Sequence, residues 1–204
     1  MGVVLGRRRG PCRGAGPAGI IYLASTSPRR KKILKDAGIR FRIVIPGYHE
    51  KKLRGAGPRR LVRAHALGKG LAAAKEISEG TVLSADTIVY SDGRIIGKPR
   101  DLKHAFRILG SLQGRWHEVY TGVAVLNVRK GKVTGRRVLI EKTRVLLKPL
   151  KPEEIAAYFK KIDPLDKAGA YAIQETKNSV VEAVKGSFLN AVGLPLERVR
   201  RLII

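Results

Sequence analysis

The chain has 204 residues, 44% of them hydrophobic, which is enough for one domain with a sizeable core and argues against a disordered chain. With 42 Lys and Arg against 16 Asp and Glu, the net charge is +26, so some positive field stays unpaired and polyanions are natural partners. No apolar run approaches the roughly 20 residues of a membrane-crossing helix, and aromatics at 5% leave few stacking platforms for single-stranded bases, so nucleic-acid binding is expected only as a non-specific consequence of charge.

Residues 1–19, "MGVVLGRRRGPCRGAGPAG", read as a flexible basic tail or as an extension upstream of a start at Ile20. The single cysteine, Cys12, lies there, so no intrachain disulfide forms and a reducing, cytoplasmic compartment is expected. Residues 20–24 have the composition of a buried strand. Ser27 offers an N-cap hydroxyl and Pro28 a first helical position, opening a helix to about Ala37 that Gly38 ends in a left-handed turn. "IRFRIVI" (39–45) alternates apolar and basic residues and predicts a half-buried strand. A second helix opens at Pro58, with Leu61, Val62, Ala66, Leu71 and Ala74 at helical spacing. "TVLSADTIVY" (81–90) predicts a strand interrupted by a polar pair, followed by an "SDG" turn and a short return. Asp101 caps a helix to about Leu112, and 116–128 and 133–147 form a hairpin across "RKGK". Residues 151–162 predict a helix with Glu in its first turn and Lys in its last, and a final helix follows Pro195. Alternating helices and strands around a hairpin predict a mixed α/β sheet with flanking helices.

Three stretches carry the candidate chemistry. A strand that ends in hydroxyls and runs into a helix N-terminus presents backbone N–H groups and the positive dipole end, and Arg29 and Arg30 add forks that suit phosphate oxygens. The competing reading is a plain helix cap beside a solvated basic turn. Asp86 interrupts an apolar strand, which costs free energy unless the acid is paired, metal-bound or cleft-facing. It could hold a hard divalent cation or accept a proton from water, or it could cap a turn. In "DKAGAYAIQ" (166–174), small residues allow close backbone approach, and Gln174 offers the donor and acceptor that base reading needs. Alone it is equally an ordinary loop residue. Lys98 in "GKP", Glu50 and Lys69 are individually unremarkable.

Taken in order, "LASTSPRR", "SADTIV", "GKPRD", "HEVYTGV", "DKAGAYAIQ" and "NAVGLPL" resemble the successive signatures of the Maf family of nucleoside triphosphate pyrophosphatases, over Ile20 to the C-terminus. The resemblance implies one domain over 20–204, with two lobes around a deep nucleotide-binding cleft, usually as a homodimer. It implies hydrolysis between the α and β phosphates with a divalent cation, Mg2+ or Mn2+. By motif position it implies phosphate contacts at Ser25, Ser27, Arg29 and Arg30, lysines at Lys69 and Lys98, and metal ligands Glu50 and Asp86. Asp86 is also the implied proton acceptor, and Gln174 the base-side residue. Thr87, the His117-to-Thr121 spacing and "DKAGAYAIQ" match the subfamily acting on dTTP and UTP rather than on 7-methyl-GTP. Two positions depart from the pattern: His49, where an acid often precedes the glutamate, and Glu175, where Gly often follows the glutamine. Lys31 and Lys32 are expected to be plain surface charge.

Overall fold

A computed structural model describes residues 20–50, 53, 55–174 and 180–203. The expected tail (1–19) and Glu175 lie outside these residues. The expected mixed α/β architecture forms, as a seven-stranded sheet in the order β2-β1-β3-β5-β6-β7, with β4 also on β3. Its strands are β1 (Ile21–Leu23), β2 (Arg42–Ile43), β3 (Gly80–Ser91), β4 (Arg94–Ile96), β5 (Trp116–Arg129), β6 (Lys132–Leu147) and β7 (Val181–Lys185). The helices are α1 (Pro28–Asp36), α2 (Pro58–Ala74), α3 (Leu102–Leu112), α4 (Pro152–Phe159), α5 (Phe188–Val192) and α6 (Leu196–Ile203).

β3 is the central strand, and its composition explains why. Both of its faces are covered, so its apolar residues run nearly without a break instead of alternating with polar ones. Leu83, Ala85 and Val89 face a large core shared with α1, α3, α4 and α6. Val82 and Ile88 face the opposite side, in smaller clusters with Ala73, Ala74 and Val62 of α2. β5 pairs antiparallel with β3 along almost its whole length, from Gly80↔Val128 to Tyr90↔Glu118. The other edge of β3 is divided. β1 pairs with Thr81–Leu83, and β4 pairs with Val89–Ser91. Among the described residues, the stretch between these two partners has no strand on that edge, and it contains Asp86 and Thr87.

Local chemistry accounts for the element ends. Gly38 (φ +69°) turns the chain after α1. Asp101 accepts the His104 N–H at 2.6 Å and starts α3. The hairpin joining β5 and β6 turns at Lys130 and Gly131, both with positive φ.

Four expectations need correction. β2 is only two residues long and exposed on both, with Ile43 at 46% and Ile45 at 72% exposure, because it lies at the sheet edge with little above it. Leu71 is exposed at 37%, since the face of α2 that seats on the sheet runs through Val62, Ala66, Gly70 and Ala73 and leaves Leu71 beside it. α4 stops at Phe159, leaving Lys160 and Lys161 beyond its last turn, where the Lys161 N–H bonds to the Tyr158 carbonyl at 2.9 Å and tightens the helix end. Ser27 stands at the N-cap of α1, but its hydroxyl makes no capping bond, and its own N–H is accepted by Ser25 Oγ at 3.2 Å.

Candidate active site

The site begins with how closely α2 can approach the sheet. A Cβ on Gly122 would stand 2.3 Å from the Val62 carbonyl oxygen, and one on Gly70 would stand 2.7 Å from Ser84 Oγ. The absence of both carbons lets the helix lie flush on β3 and β5. Ser84 Oγ then donates to the Ala66 carbonyl at 2.7 Å and fixes helix and strand in register. His65 and Lys69 are four residues apart and share one face of α2, and this seating brings that face over Asp86. Lys69 Nζ donates to Asp86 Oδ1 at 2.6 Å and meets Glu50 Oε1 at 2.7 Å. His65 Nδ1 stands 3.5 Å from Asp86 Oδ2 and 4.0 Å from Glu50 Oε2.

Glu50 arrives from the loop before α2, two residues after Tyr48, whose ring rests on the helix at Gly68. A Cβ there would lie 2.2 Å from that ring. Partial burial works to raise the Glu50 carboxyl, but the Lys69 hydrogen bond and charge, with His65 and Lys98, outweigh it and hold the pKa below the usual value. Two carboxylates gathered around one ammonium, with an imidazole beside them, form a donor set suited to a divalent cation. The ligand atoms of Glu50, His65 and Asp86 all lie within 4.8 Å of one another.

Thr87 points to the other face of β3, as alternation along a strand requires. Its hydroxyl meets Thr121 Oγ1 at 3.0 Å, and Thr121 donates to the Asn190 carbonyl at 3.1 Å. Arg30 binds this side together through three nitrogens. Nε donates to the Gly193 carbonyl (2.9 Å), Nη1 to Ser25 Oγ (3.1 Å) and Nη2 to Thr87 Oγ1 (3.0 Å). Burial lowers its pKa to about 10, against the pull of Asp86, which leaves it charged at neutral pH. Arg29 reaches the Asp166 carbonyl at 3.4 Å. Lys167, 4% exposed, donates to Asp166 Oδ1 at 2.7 Å.

These groups surround a cavity of about 500 Å³, within the usual range of small-ligand sites. Ser27, Arg29, Arg30, Glu50, Lys69, Asp86, Thr87, Lys98 and Gln174, all expected from sequence, line it. Ser25 lines an adjoining depression of about 440 Å³, shared with Ser27, Arg29, Arg30, Glu50, Lys69 and Lys98. These charged residues line both the cavity and the depression, whereas Gln174, Ile173, Ala172 and Val192 line the cavity alone. Lys31 is only partly buried and Lys32 pairs with Asp36 at 3.1 Å, outside the site.

Residues 20–204 match the family described as Maf-like protein. The chain belongs to the Maf family. It is 42% identical over 86% of its length to a Gloeobacter violaceus protein named dTTP/UTP pyrophosphatase, covering 90% of that protein. A Geobacter sp. protein of the same name is 48% identical over 86% of this chain and 90% of its own. A third, from Pelotomaculum thermopropionicum, is 41% identical over 90% of this chain and 94% of its own.

The fold of the Maf-family chain also gives His65, Asn190 and Gly193 places at the site that the sequence did not assign to them. His65 lies within a run of helix positions, and its only signal was the four-residue spacing to Lys69. Asn190 and Gly193 come from α5 and its end, a five-residue helix too short for periodicity to reveal. Among the described residues no helix is long and apolar enough to cross a membrane.

Proposed function

We propose that this chain hydrolyses dTTP and UTP to the monophosphate and pyrophosphate, as its relatives' names state for them. The observation that carries the reading is Asp86: a carboxylate on a buried central strand, 7% exposed, opening into a cavity lined by Arg29, Arg30, Lys69 and Lys98 and by the amide of Gln174. The catalytic domain is residues 20–204. The chain works in the cytoplasm, as a homodimer.

Glu50 and Asp86 would hold a divalent cation, Mg2+ or Mn2+, and the carboxylate donors gathered there fit one. When bound, the cation neutralises phosphate charge and polarises the phosphoryl group. The protein's own residues do the rest. Arg29, Lys69 and Lys98 take the phosphate oxygens, with the hydroxyls of Ser25 and Ser27 and the first N–H groups of α1 around the chain's anionic end. Asp86 orients a water molecule and accepts its proton as the oxygen attacks the α phosphorus. The bond from that phosphorus to the α–β bridging oxygen breaks, and pyrophosphate leaves. Such a reaction needs positioning and charge compensation more than covalent chemistry. Arg30 acts mainly by holding Ser25, Thr87 and Gly193 in place. Gln174 pairs through its amide with the carbonyl–imide edge of the pyrimidine.

The test is kcat/KM for dTTP, UTP, CTP, ATP, GTP and 7-methyl-GTP, following pyrophosphate release. Preference for dTTP and UTP is expected. Preference for 7-methyl-GTP would overturn the substrate assignment, and salt-dependent nucleic-acid binding with no turnover on any triphosphate would overturn the enzyme reading. Light scattering tests the dimer.

A further inference from the structure

The metal reading above gives the cation two carboxylates, and the structure sets a nitrogen beside them. The oxygens of Glu50 and Asp86 divide by partner. Oε1 and Oδ1 face Lys69 Nζ at 2.7 and 2.6 Å, whereas Oε2 and Oδ2 face His65 Nδ1 at 4.0 and 3.5 Å. The ammonium therefore occupies one side of the carboxylate pair and leaves the imidazole side to another cation. Two donors each about 2.1 Å from a shared ion stand roughly 3.0–3.4 Å apart at octahedral or tetrahedral angles. The Asp86–His65 separation is already close to that. The Glu50 carboxylate, 56% exposed, has room to close the remaining gap of about 0.6–1.0 Å.

His65 is held where a ligand has to be. Its side chain is 8% exposed, on a helix seated by Gly122, Gly70 and Ser84, and the Tyr48 ring meets it edge-on at 6.1 Å. Preorganisation of this kind distinguishes a ligand from a surface imidazole that drifts past an acid.

We infer that His65 is a third protein ligand to the catalytic cation, and that it shifts the site's preference toward first-row divalent ions that accept imidazole, such as Mn2+, Co2+ and Zn2+, over Mg2+. The chemistry behind the shift is general. Mg2+ takes oxygen ligands and gives up its water reluctantly, whereas the later divalent ions gain from nitrogen. The inference rests on the metal-dependent reading of the site, but its test does not depend on turnover.

Co2+ and Mg2+ are titrated calorimetrically into the wild-type chain, His65→Leu and His65→Gln, with the visible absorption of bound Co2+ followed in parallel. The expected result is a Co2+ Kd raised at least about tenfold in both variants, with an altered Co2+ spectrum, and a Mg2+ Kd that barely moves. Identical Co2+ affinity and spectrum in all three proteins would overturn the assignment. If neither variant folds, imidazole ¹⁵N NMR of the wild-type chain with Zn2+ decides: a coordination shift at His65 Nδ1 supports the ligand, and an unshifted resonance overturns it. Hydrolysis of dTTP is measured separately on the wild-type chain with Mg2+ and with Mn2+. Intact hydrolysis with His65-independent Co2+ binding overturns the ligand and leaves the activity standing. Absent hydrolysis with His65-dependent Co2+ binding does the reverse.

Discussion

Gly122→Ala tests whether the approach of α2 to the sheet creates the site. The added carbon would stand 2.3 Å from the Val62 carbonyl oxygen, 2.6 Å from the Val62 carbonyl carbon and 3.0 Å from the Arg63 nitrogen. All three are backbone atoms of α2, so no change of rotamer relieves the clash. Carbon–oxygen contacts rest at about 3.3 Å or more, and the helix must therefore retreat by about 1 Å. Overpacking of this kind costs about 1–3 kcal/mol, which in a chain of this length lowers Tm by roughly 2–12 °C. Catalysis is expected to lose more than stability does. Lys69 and His65 ride on the displaced helix at 2.6 and 3.5 Å from Asp86, and a misplacement of 1 Å is worth about 10²-fold in rate.

The assay pairs thermal melting with kcat/KM for dTTP. Gly110→Ala provides the control, because a Cβ there meets nothing within 4 Å and the residue lies in α3, where Ala is the better helix former. That variant should be as stable as the wild type or more so, and fully active. Wild-type Tm and turnover in Gly122→Ala would refute the reasoning, since α2 would then be shown to tolerate the shift.

Asp86→Asn should still bind nucleotide but lose about 10²–10⁴-fold in kcat, the usual worth of a general base; near-normal turnover in the folded variant would remove Asp86 from the mechanism. Gln174→Ala should narrow the preference for dTTP and UTP over ATP and GTP more than it weakens phosphate binding, read from kcat/KM across the panel and inhibition by pyrophosphate. Arg30→Lys should lower both Tm and kcat, because one ammonium cannot reach the Gly193, Ser25 and Thr87 partners that three guanidinium nitrogens now hold, and a fully active, equally stable Lys variant would show that the fork is dispensable. Acid stability should report His117, whose burial lowers its pKa from 6.5 to about 4. The unfolded chain binds this proton more readily, so the contribution is complete above about pH 6.5 and is lost as pH falls to about 4, up to about 3 kcal/mol. Urea unfolding across that range should show the loss, and His117→Gln should flatten it.

The legible parts of this site were those that violated a local rule. An acid inside an apolar strand needs a reason, and Asp86 has one. Hydroxyls running into a Pro-initiated helix with two arginines also needed one, and Ser25, Ser27, Arg29 and Arg30 do converge on the cavity. Illegible parts obeyed local rules. Leu71 fitted the helical period as well as Val62 did, but α2 packs through Gly70, Ala66 and Ala73, where closeness of approach matters more than side-chain size. "IRFRIVI" alternates correctly for a strand, yet alternation says nothing about whether a second layer exists above it, and among the described residues none covers Ile43 or Ile45. His65 broke no rule, because a histidine in a helix is ordinary until the strand beneath it is known to carry an acid. Arg30 was expected as a phosphate contact, and its role as a clamp was illegible because two of its three partners, Thr87 and the Gly193 carbonyl, lie 57 and 163 residues away.

The divided edge of β3 connects this packing to the proposed reaction. Asp86 and Thr87 are consecutive, so their side chains leave opposite faces of the strand: one toward Glu50, His65 and Lys69, the other toward Arg30, Thr121 and Gly193. In a continuous sheet those two environments would be separated by the neighbouring strand. Here β1 ends at Leu23 and turns into the start of α1, while β4 does not begin until Arg94, and the cavity passes between them and touches both residues. A ligand lying in that gap meets the carboxylates on one side and the Thr87 network on the other without any strand having to part. The first turn of α1, with Ser27, Arg29 and Arg30, lines the same cavity, as at other crevices where strand order reverses. Closing the gap would leave a better-bonded sheet but cover the cavity beside Asp86 and Thr87, so under the proposed reaction the open edge there is what admits the nucleotide.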